Sequence, residues 1–435
     1  MSWAEEEFGG AVLGDARLTK RLVRLADDLS SSPTKSIPVA CAGPAEVKAA
    51  YRLLDNEGLD WRAVLDAHRV PTAARMAQEG RVLCIQDTTE LDFTSQPGIA
   101  GLGRLTYERQ HGMYVHPTLA VSEGGVALGV LDAWMWSRKP KGEADVLESL
   151  RWTEGYARVA ELAASMPGTR LVYMGDREAD LRGLVDLAAE SGHAADYLVR
   201  AKHDRVLEDG GKLRAEVERQ ASLGEVEFRL PPAPGRKERT VTQTVRVARV
   251  ELARRGGSTR EVTAILAREE SPPAGEKPVE WLLLTNEVVE TLDDACLRVA
   301  WYRKRRLAEI FFRIFKSGCQ LATRERLDRA LVLYLVIAWR ILHLVTLGRD
   351  CPGLPCDVAF SGEEWRAAWL VAKRQPPPDA PPPLGEMVRI VAGFGGFLDR
   401  KGDGHPGPKA LWEGLLKLMA YVEAFQATRE VYGEG

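Results

Sequence analysis

The sequence predicts an α/β protein: a mixed-sheet core with a β-rich insertion, flanked by helical segments at both ends. Three observations predict it. Between residues 81 and 201, short apolar runs suited to buried strands alternate with helical patterns. Within that stretch, Glu123-Gly124-Gly125 separates two long apolar runs, a hairpin signal. Both ends of the chain show helical periodicity instead.

The chain has 435 residues, enough for two or three domains at roughly 150 residues each. Hydrophobic residues are 45% and charged residues 28%. These proportions exclude disordered, collagen-like and disulfide-scaffold classes. The net charge of -3 excludes a globally basic nucleic-acid coat, so any DNA-binding surface must be local. Met1-Ser2-Trp3-Ala4-Glu5-Glu6-Glu7 is acidic, the wrong sign for a signal or transit peptide. The longest apolar run, Ala330 to Trp339, falls short of the roughly 20 residues a membrane span needs. It reads as a buried helix, and no membrane is expected as a partner. Of six cysteines only Cys351 and Cys356 are close, without a second pair or a histidine cluster. Reduced cysteines in a cytoplasm fit better than a zinc site.

The elements follow in order. Residues 1 to about 75 are helical. Asp15 can cap a helix carrying Leu18, Leu22, Leu25 and Leu29, and Pro44 to Leu54 and Trp61 to Met76 are further helices. Val82 to Gln86 is a buried strand. Tyr114 to Val121 and Val126 to Trp136 form the hairpin, with Trp134 and Trp136 packed on the sheet. Ala144 to Ser165 is a helix, Leu171 to Met174 a strand, Glu178 to Ser191 a helix, and Tyr197 to Arg200 a strand. From about 203 to 288 the alternation breaks. Val226 to Leu230, Val241 to Leu252, Val262 to Ala267 and Trp281 to Thr285 read as strands of a β-rich insertion. Helices resume at Thr291, which has capping-box spacing with Asp294. Six prolines between 374 and 384 mark a linker or loop, and Lys409 to Arg429 a long terminal helix.

Two of these strands run into an aspartate, Asp87 and Asp176. Strand ends of open α/β sheets are where active sites collect, although each Asp can equally cap the turn that follows. A third feature lies farther on. Tyr302, Arg305, Glu309, Arg313 and Lys316 recur at spacings that place them within about 80° of one helix face. Leu307, Ile310, Phe311 and Ile314 fall opposite. From Arg303 to Arg329 nine Lys/Arg accompany three Asp/Glu, a net +6 that leaves -9 for the rest. A solvated face with ion pairs explains the charges but not the scarcity of acid. A local basic stripe on an acidic chain suits a phosphate backbone. Asp87, Asp176 and Glu309 could hold two divalent ions, and oxygen-only ligation favours Mg²⁺ or Mn²⁺. Glu90, Asp92, Glu178 and Asp180 compete for these places. Gly98, Gly101 and Gly103 read as a loop, and His111 and His116 as structural or DNA-facing.

Several segments carry a family resemblance: Ile85-Gln86-Asp87-Thr88-Thr89, Asp176-Arg177-Glu178-Ala179-Asp180, Arg200-Ala201-Lys202-His203 and Trp281-Leu282-Leu283-Leu284-Thr285. To these are added Tyr302-x2-Arg305-x3-Glu309-x6-Lys316, Leu13-Gly14-Asp15-Ala16-Arg17 and Ala410-Leu411-Trp412-Glu413-Gly414. With them the sequence resembles DDE transposases of the insertion-sequence-four (IS-four) family, in the branch of transposon five (Tn-five). The resemblance implies a ribonuclease-H-like catalytic core over 76–348, interrupted by the insertion at about 203–288. It implies a helical domain over 1–75 that binds transposon ends, with Arg17, Lys20, Arg21 and Lys35 as candidate contacts, and a helical dimerisation domain over 349–435. Asp87, Asp176 and Glu309 become catalytic metal ligands for Mg²⁺, with Mn²⁺ as substitute. Arg200, Tyr302, Arg305, Arg313 and Lys316 hold phosphates, and Trp281 stacks on a base flipped from a bent strand. The implied protein is a bacterial cytoplasmic, nucleoid-associated homodimer. It cleaves double-stranded DNA at transposon ends through a hairpin and transfers the 3′-hydroxyl to target DNA. Leu411, Leu415, Leu418 and Val422 form a seam that serves either the dimer or internal packing. Phe312 beside the stripe and Ile310 after Glu309 depart from the family pattern. The rival readings are a ribonuclease-H-fold nuclease or resolvase, and a domesticated, non-catalytic DNA-binding protein.

Overall fold

The computed structural model describes residues 2–31, 37–41, 43–96, 98–139, 147–231, 237–254, 258–316 and 324–432. The chain forms two compact units, each assembled from separated stretches: Ala77–Asp87 with Ala144–Arg306, and Met1–Met76 with Thr88–Glu143 and Leu307–Gly435.

The first unit is built on a seven-stranded sheet. Its strands run in the order β1 (Arg81–Gln86), β6 (Arg170–Gly175), β7 (Asp196–Arg200), β11 (Glu280–Thr285), β10 (Thr259–Arg268), β9 (Arg239–Ala253) and β8 (Gly224–Leu230). β1, β6 and β7 are parallel, and every pair beyond β7 is antiparallel. The parallel strands are covered on both faces, which is why Val82 to Ile85 and Leu171 to Met174 read as continuous apolar runs. The helices are α6 (Leu150–Ala164), α7 (Arg182–Glu190), α8 (Leu213–Arg219) and α9 (Leu292–Lys304). Thr291 and Asp294 close the expected capping box on α9. α6 lies tight on β1: a Cβ at Gly155 would meet the Gln86 amide at 2.2 Å. Gln86 is buried there and accepts a hydrogen bond from the Tyr173 hydroxyl (2.6 Å), which also donates to the Trp152 carbonyl. The β-rich stretch is not set apart. Its strands extend the sheet through β7 and β11, because the β11 edge pairs with β7 over Leu283 to Thr285.

The second unit holds α1 (Trp3–Phe8), α2 (Ala16–Ser31), α3 (Ile37–Ala40), α4 (Pro44–Leu54) and α5 (Trp61–Met76). It also holds β2 (Thr89–Asp92), β3 (Gly103–Arg104), and the hairpin β4 (His111–Ser122) and β5 (Ala127–Trp136), with β2, β3 and β5 all paired to β4. Its remaining helices are α10 (Arg306–Lys316), α11 (Arg324–Asp350), α12 (Gly362–Lys373), α13 (Leu384–Phe394) and α14 (Pro408–Tyr432). Trp134 is buried and Trp136 stacks on Tyr114, as expected of a pair packed on the sheet.

α11 is the expected buried helix, but longer than its apolar run predicts. The apolar run from Ala330 is part of a 27-residue helix whose stretch Leu327–Asp350 is long and apolar enough to cross a membrane by length and composition. Its most apolar window is 83% buried inside the protein, so it serves as a core helix. A helix apolar on all sides must be covered on all sides. α11 is covered by α2, α4, α5, β5, α13 and α14 together. Arg329 donates to the carbonyls of Leu54 and Leu59, Trp339 to that of Ala127, and Arg340 pairs with Glu364 of α12. N-terminal and C-terminal helices of this unit thus pack on the same central helix.

The α14 seam is settled in favour of internal packing. Leu411, Leu415, Leu418 and Val422 are all buried in the single chain, on a helix that packs on α12 and α13. The proline run is the loop between α12 and α13, entered through Arg374 in the left-handed region (φ 54°).

Candidate active site

Asp87 and Asp176 sit one residue past the ends of β1 and β6. The register pairs Ile85 with Met174, so two residues on Asp87 stands opposite Asp176. Neighbouring strands are about 4.8 Å apart. The pleat sends both aspartates to the face opposite Gln86 and Gly175, which point at α6. Asp176 also caps the turn Arg177–Ala179, its Oδ1 accepting from the Glu178 N–H at 2.7 Å. Strand-end position and capping role therefore coexist in one residue.

Asp87 is held by a cation. Arg305 Nη1 lies 2.5 Å from Asp87 Oδ2, with the two side chains 18% and 16% exposed. Tyr302 is buried in the same cluster. Burial holds its phenol above the ordinary range, and Asp176 acts in the same direction against the nearby Arg305 and Arg200. Tyr302 therefore stays protonated near neutral pH and can donate. Arg200, at the end of β7, is anchored by a hydrogen bond from Nη2 to the Glu280 carbonyl (2.8 Å). The first unit thus brings together Asp87, Asp176, Arg200, Tyr302 and Arg305.

Trp281 opens β11 nearby. It is half-buried, stacked on Phe228 (5.5 Å, 16°) and edge-on to Tyr302 (5.6 Å). Arg303 covers Phe228 in turn, at 4.2 Å. The indole is thus one layer of a stack, not a fully exposed ring.

The stripe from Tyr302 to Lys316 is not one helix. α9 ends at Lys304, Arg305 caps it with its N–H bonded back to the Tyr302 carbonyl, and α10 begins at Arg306. The helix is interrupted at Arg305, so the 3.6-residue period does not carry across the junction. Within α10 the pattern is kept: Glu309, Arg313 and Lys316 are exposed, and Leu307, Phe311, Phe312, Ile314 and Phe315 are buried. Ile310 is only half-buried.

Three competing acids have other partners. Asp180 is fully buried. It accepts from the N–H groups of Lys202 (2.7 Å) and His203 (3.0 Å) and is doubly bonded by Arg205. It is the tie between the turn after Asp176 and the loop after β7, a role that Asp-Arg-Glu-Ala-Asp as a string does not announce. Glu90 binds Thr106, and Asp92 binds Thr94 and Gln110. Among the described residues no three His, Cys, Asp or Glu side chains form a ready-made metal cage.

In the second unit Arg17, Lys20 and Arg21 are exposed on α2, and Arg17 folds back onto Asp15, which caps that helix. Lys35 lies outside the described residues. His116 is buried with its Nδ1 at 2.7 Å from the Thr88 hydroxyl, and His111 is exposed at the start of β4.

Comparison with known proteins gives two family matches. Residues 1–59 match the family described as Transposase DNA-binding, and residues 336–435 the Transposase Tn5 dimerisation domain. A cryo-EM structure of a piggyBac transposase synaptic complex with hairpin DNA aligns at 10% identity and a TM-score of 0.37, over 74% of this chain. The aligned region spans 62% of that protein's length. The two family matches, one at each end, support a transposon-five-like transposase of the insertion-sequence-four family, as the sequence motifs suggested.

Proposed function

We propose that this protein is a cut-and-paste DNA transposase that cleaves transposon ends by metal-dependent phosphoryl transfer and joins the 3′-hydroxyl to target DNA, excising through a hairpin. The observation that carries the reading is the pair Asp87 and Asp176 at adjacent parallel strand ends, beside Arg200, Tyr302 and Arg305. The two family matches supply the DNA-binding and homodimeric character that such an enzyme needs.

The donor chemistry fits Mg²⁺ or Mn²⁺: aspartate oxygens, with no imidazole or thiolate among the clustered groups. The guanidinium already on Asp87 indicates that this carboxylate favours a cation. Glu309, on the exposed face of α10, is the third carboxylate offered by the motif. A bound divalent ion would activate a water or 3′-hydroxyl and stabilise the leaving oxygen. The chain's own groups do the rest. Arg200 and Arg305 neutralise phosphate charge, and the Tyr302 hydroxyl donates to a phosphate oxygen. Arg313 and Lys316 are the exposed cations that the same motif offers on α10. Trp281, backed by Phe228, offers a stacking platform for a displaced base, worth roughly 1–3 kcal/mol.

The test is cleavage of DNA carrying the element's own ends, with and without Mg²⁺. Asp87→Ala, Asp176→Ala and Glu309→Ala should each abolish cleavage and strand transfer while end binding persists. Full cleavage by Glu309→Ala protein removes it from the set. Absent cleavage by the unaltered chain would favour the non-catalytic rival, and metal-independent cleavage would overturn the metal-dependent mechanism.

A further inference from the structure

We propose that the Arg305–Asp87 ion pair couples metal binding to DNA binding. Arg305 holds Asp87 in the DNA-free protein, and Asp87 becomes available to a divalent ion when a phosphate draws the guanidinium away. The inference rests on the reading of Asp87 as a metal ligand. It adds to the phosphate contact of Arg305 a second, positioning role exerted through Asp87.

Three features lead to it. Asp87 and Asp176 face each other across neighbouring strands, so two like charges are set close together and need a counter-charge. Arg305 supplies that charge directly, at 2.5 Å from Oδ2. Both partners are mostly shielded from solvent, so screening is incomplete and the pair is stronger than an exposed one. A divalent ion and a guanidinium repel each other and would compete for the same carboxylate.

The second feature is where Arg305 is mounted. It is the junction residue between α9 and α10, and its long side chain can turn without unwinding either helix. The third is its company. Arg200 is fixed by the Glu280 carbonyl and Tyr302 is buried alongside. A phosphate seated on those two would lie within the surroundings of Arg305 and offer it a second anionic partner. Whatever phosphate binding contributes to freeing Asp87, metal binding must contribute equally to freeing Arg305 for phosphate, because coupling is reciprocal. The consequence is an enzyme that loads metal poorly until DNA is in place.

The experiment measures Mn²⁺ affinity of the full chain without DNA, by calorimetry and by the electron spin resonance signal of free Mn²⁺. Arg305→Gln should bind Mn²⁺ about 10- to 100-fold more tightly than the unaltered chain, the range expected for releasing one charge-assisted hydrogen bond. Arg305→Lys, which keeps the charge without the planar fork, should fall between them and serves if the glutamine variant folds poorly. Affinity in both variants equal to or weaker than that of the unaltered chain, with binding still lost in Asp87→Asn, overturns the coupling and leaves the metal reading standing. Mn²⁺ binding that survives Asp87→Asn unchanged overturns the metal-ligand reading and the coupling with it.

Discussion

Replacing Asp180 with alanine should destabilise the protein severely while removing no metal ligand. The Asp180 carboxylate is fully buried and Arg205 is 6% exposed. Deletion leaves that guanidinium without its counter-charge, a change that costs about 3–5 kcal/mol when one partner of a buried pair is removed. The N–H groups of Lys202 and His203 also lose their acceptor. Lys202 and His203 are themselves exposed, so water can take over those N–H groups and their loss adds less than the roughly 1–3 kcal/mol of a fully buried one. The sum is on the order of 5 kcal/mol, a large part of the 5–15 kcal/mol that folded domains typically hold. Urea denaturation of Asp180→Ala, Arg205→Met and the double variant measures it. The double variant should recover about 2 kcal/mol or more relative to additivity, because no charge is then left buried alone. If Asp180 were instead a metal ligand, its removal would relieve carboxylate repulsion. Stability would then hold or rise, and Mn²⁺ affinity would collapse. A loss below about 1 kcal/mol, or no coupling in the cycle, refutes the assignment of Asp180 as a structural tie.

Acid should loosen α1. Burial alone would raise the Glu7 carboxyl, but hydrogen bonds from buried His68 and from Arg75 hold it at about 2. A depressed carboxyl contributes stability that is full above its unfolded value near 4.5 and is lost as pH falls toward 2, on the order of 3 kcal/mol. Glu7→Gln should flatten the denaturation midpoint across that window, and an unchanged acid slope would exclude Glu7 as its source. Leu418→Ala should cost about 2–5 kcal/mol in chemical denaturation of the single chain, since Leu418 is fully buried within it. A change confined to dimer dissociation would return the seam to the subunit interface. Arg313→Ala and Lys316→Ala should each lower the salt slope of DNA binding by roughly one unit, and filter-binding slopes equal to that of the unaltered chain would exclude phosphate contact.

What the sequence determined by itself was whatever local rules decide. The runs Val82 to Ile85 and Leu171 to Met174 are strands because residues buried on both faces must be apolar. The aspartates at their ends were legible for the same reason: the apolar run stops where the sheet stops. Thr291 with Asp294 caps α9 through bonds spanning three residues, and the buried side of α10 follows from the 3.6-residue period alone. Tertiary structure decided everything that depends on partners far along the chain. The phase of a helix says nothing of a break at Arg305, 218 residues from the Asp87 it binds. Asp180 and Glu178 are both acids in one motif, and only the return of residues 202–205 makes one of them a buried tie. The four α14 residues fit two kinds of seam equally, because spacing specifies that a face is buried and not what buries it. α12 and α13 supply that answer from elsewhere in the fold.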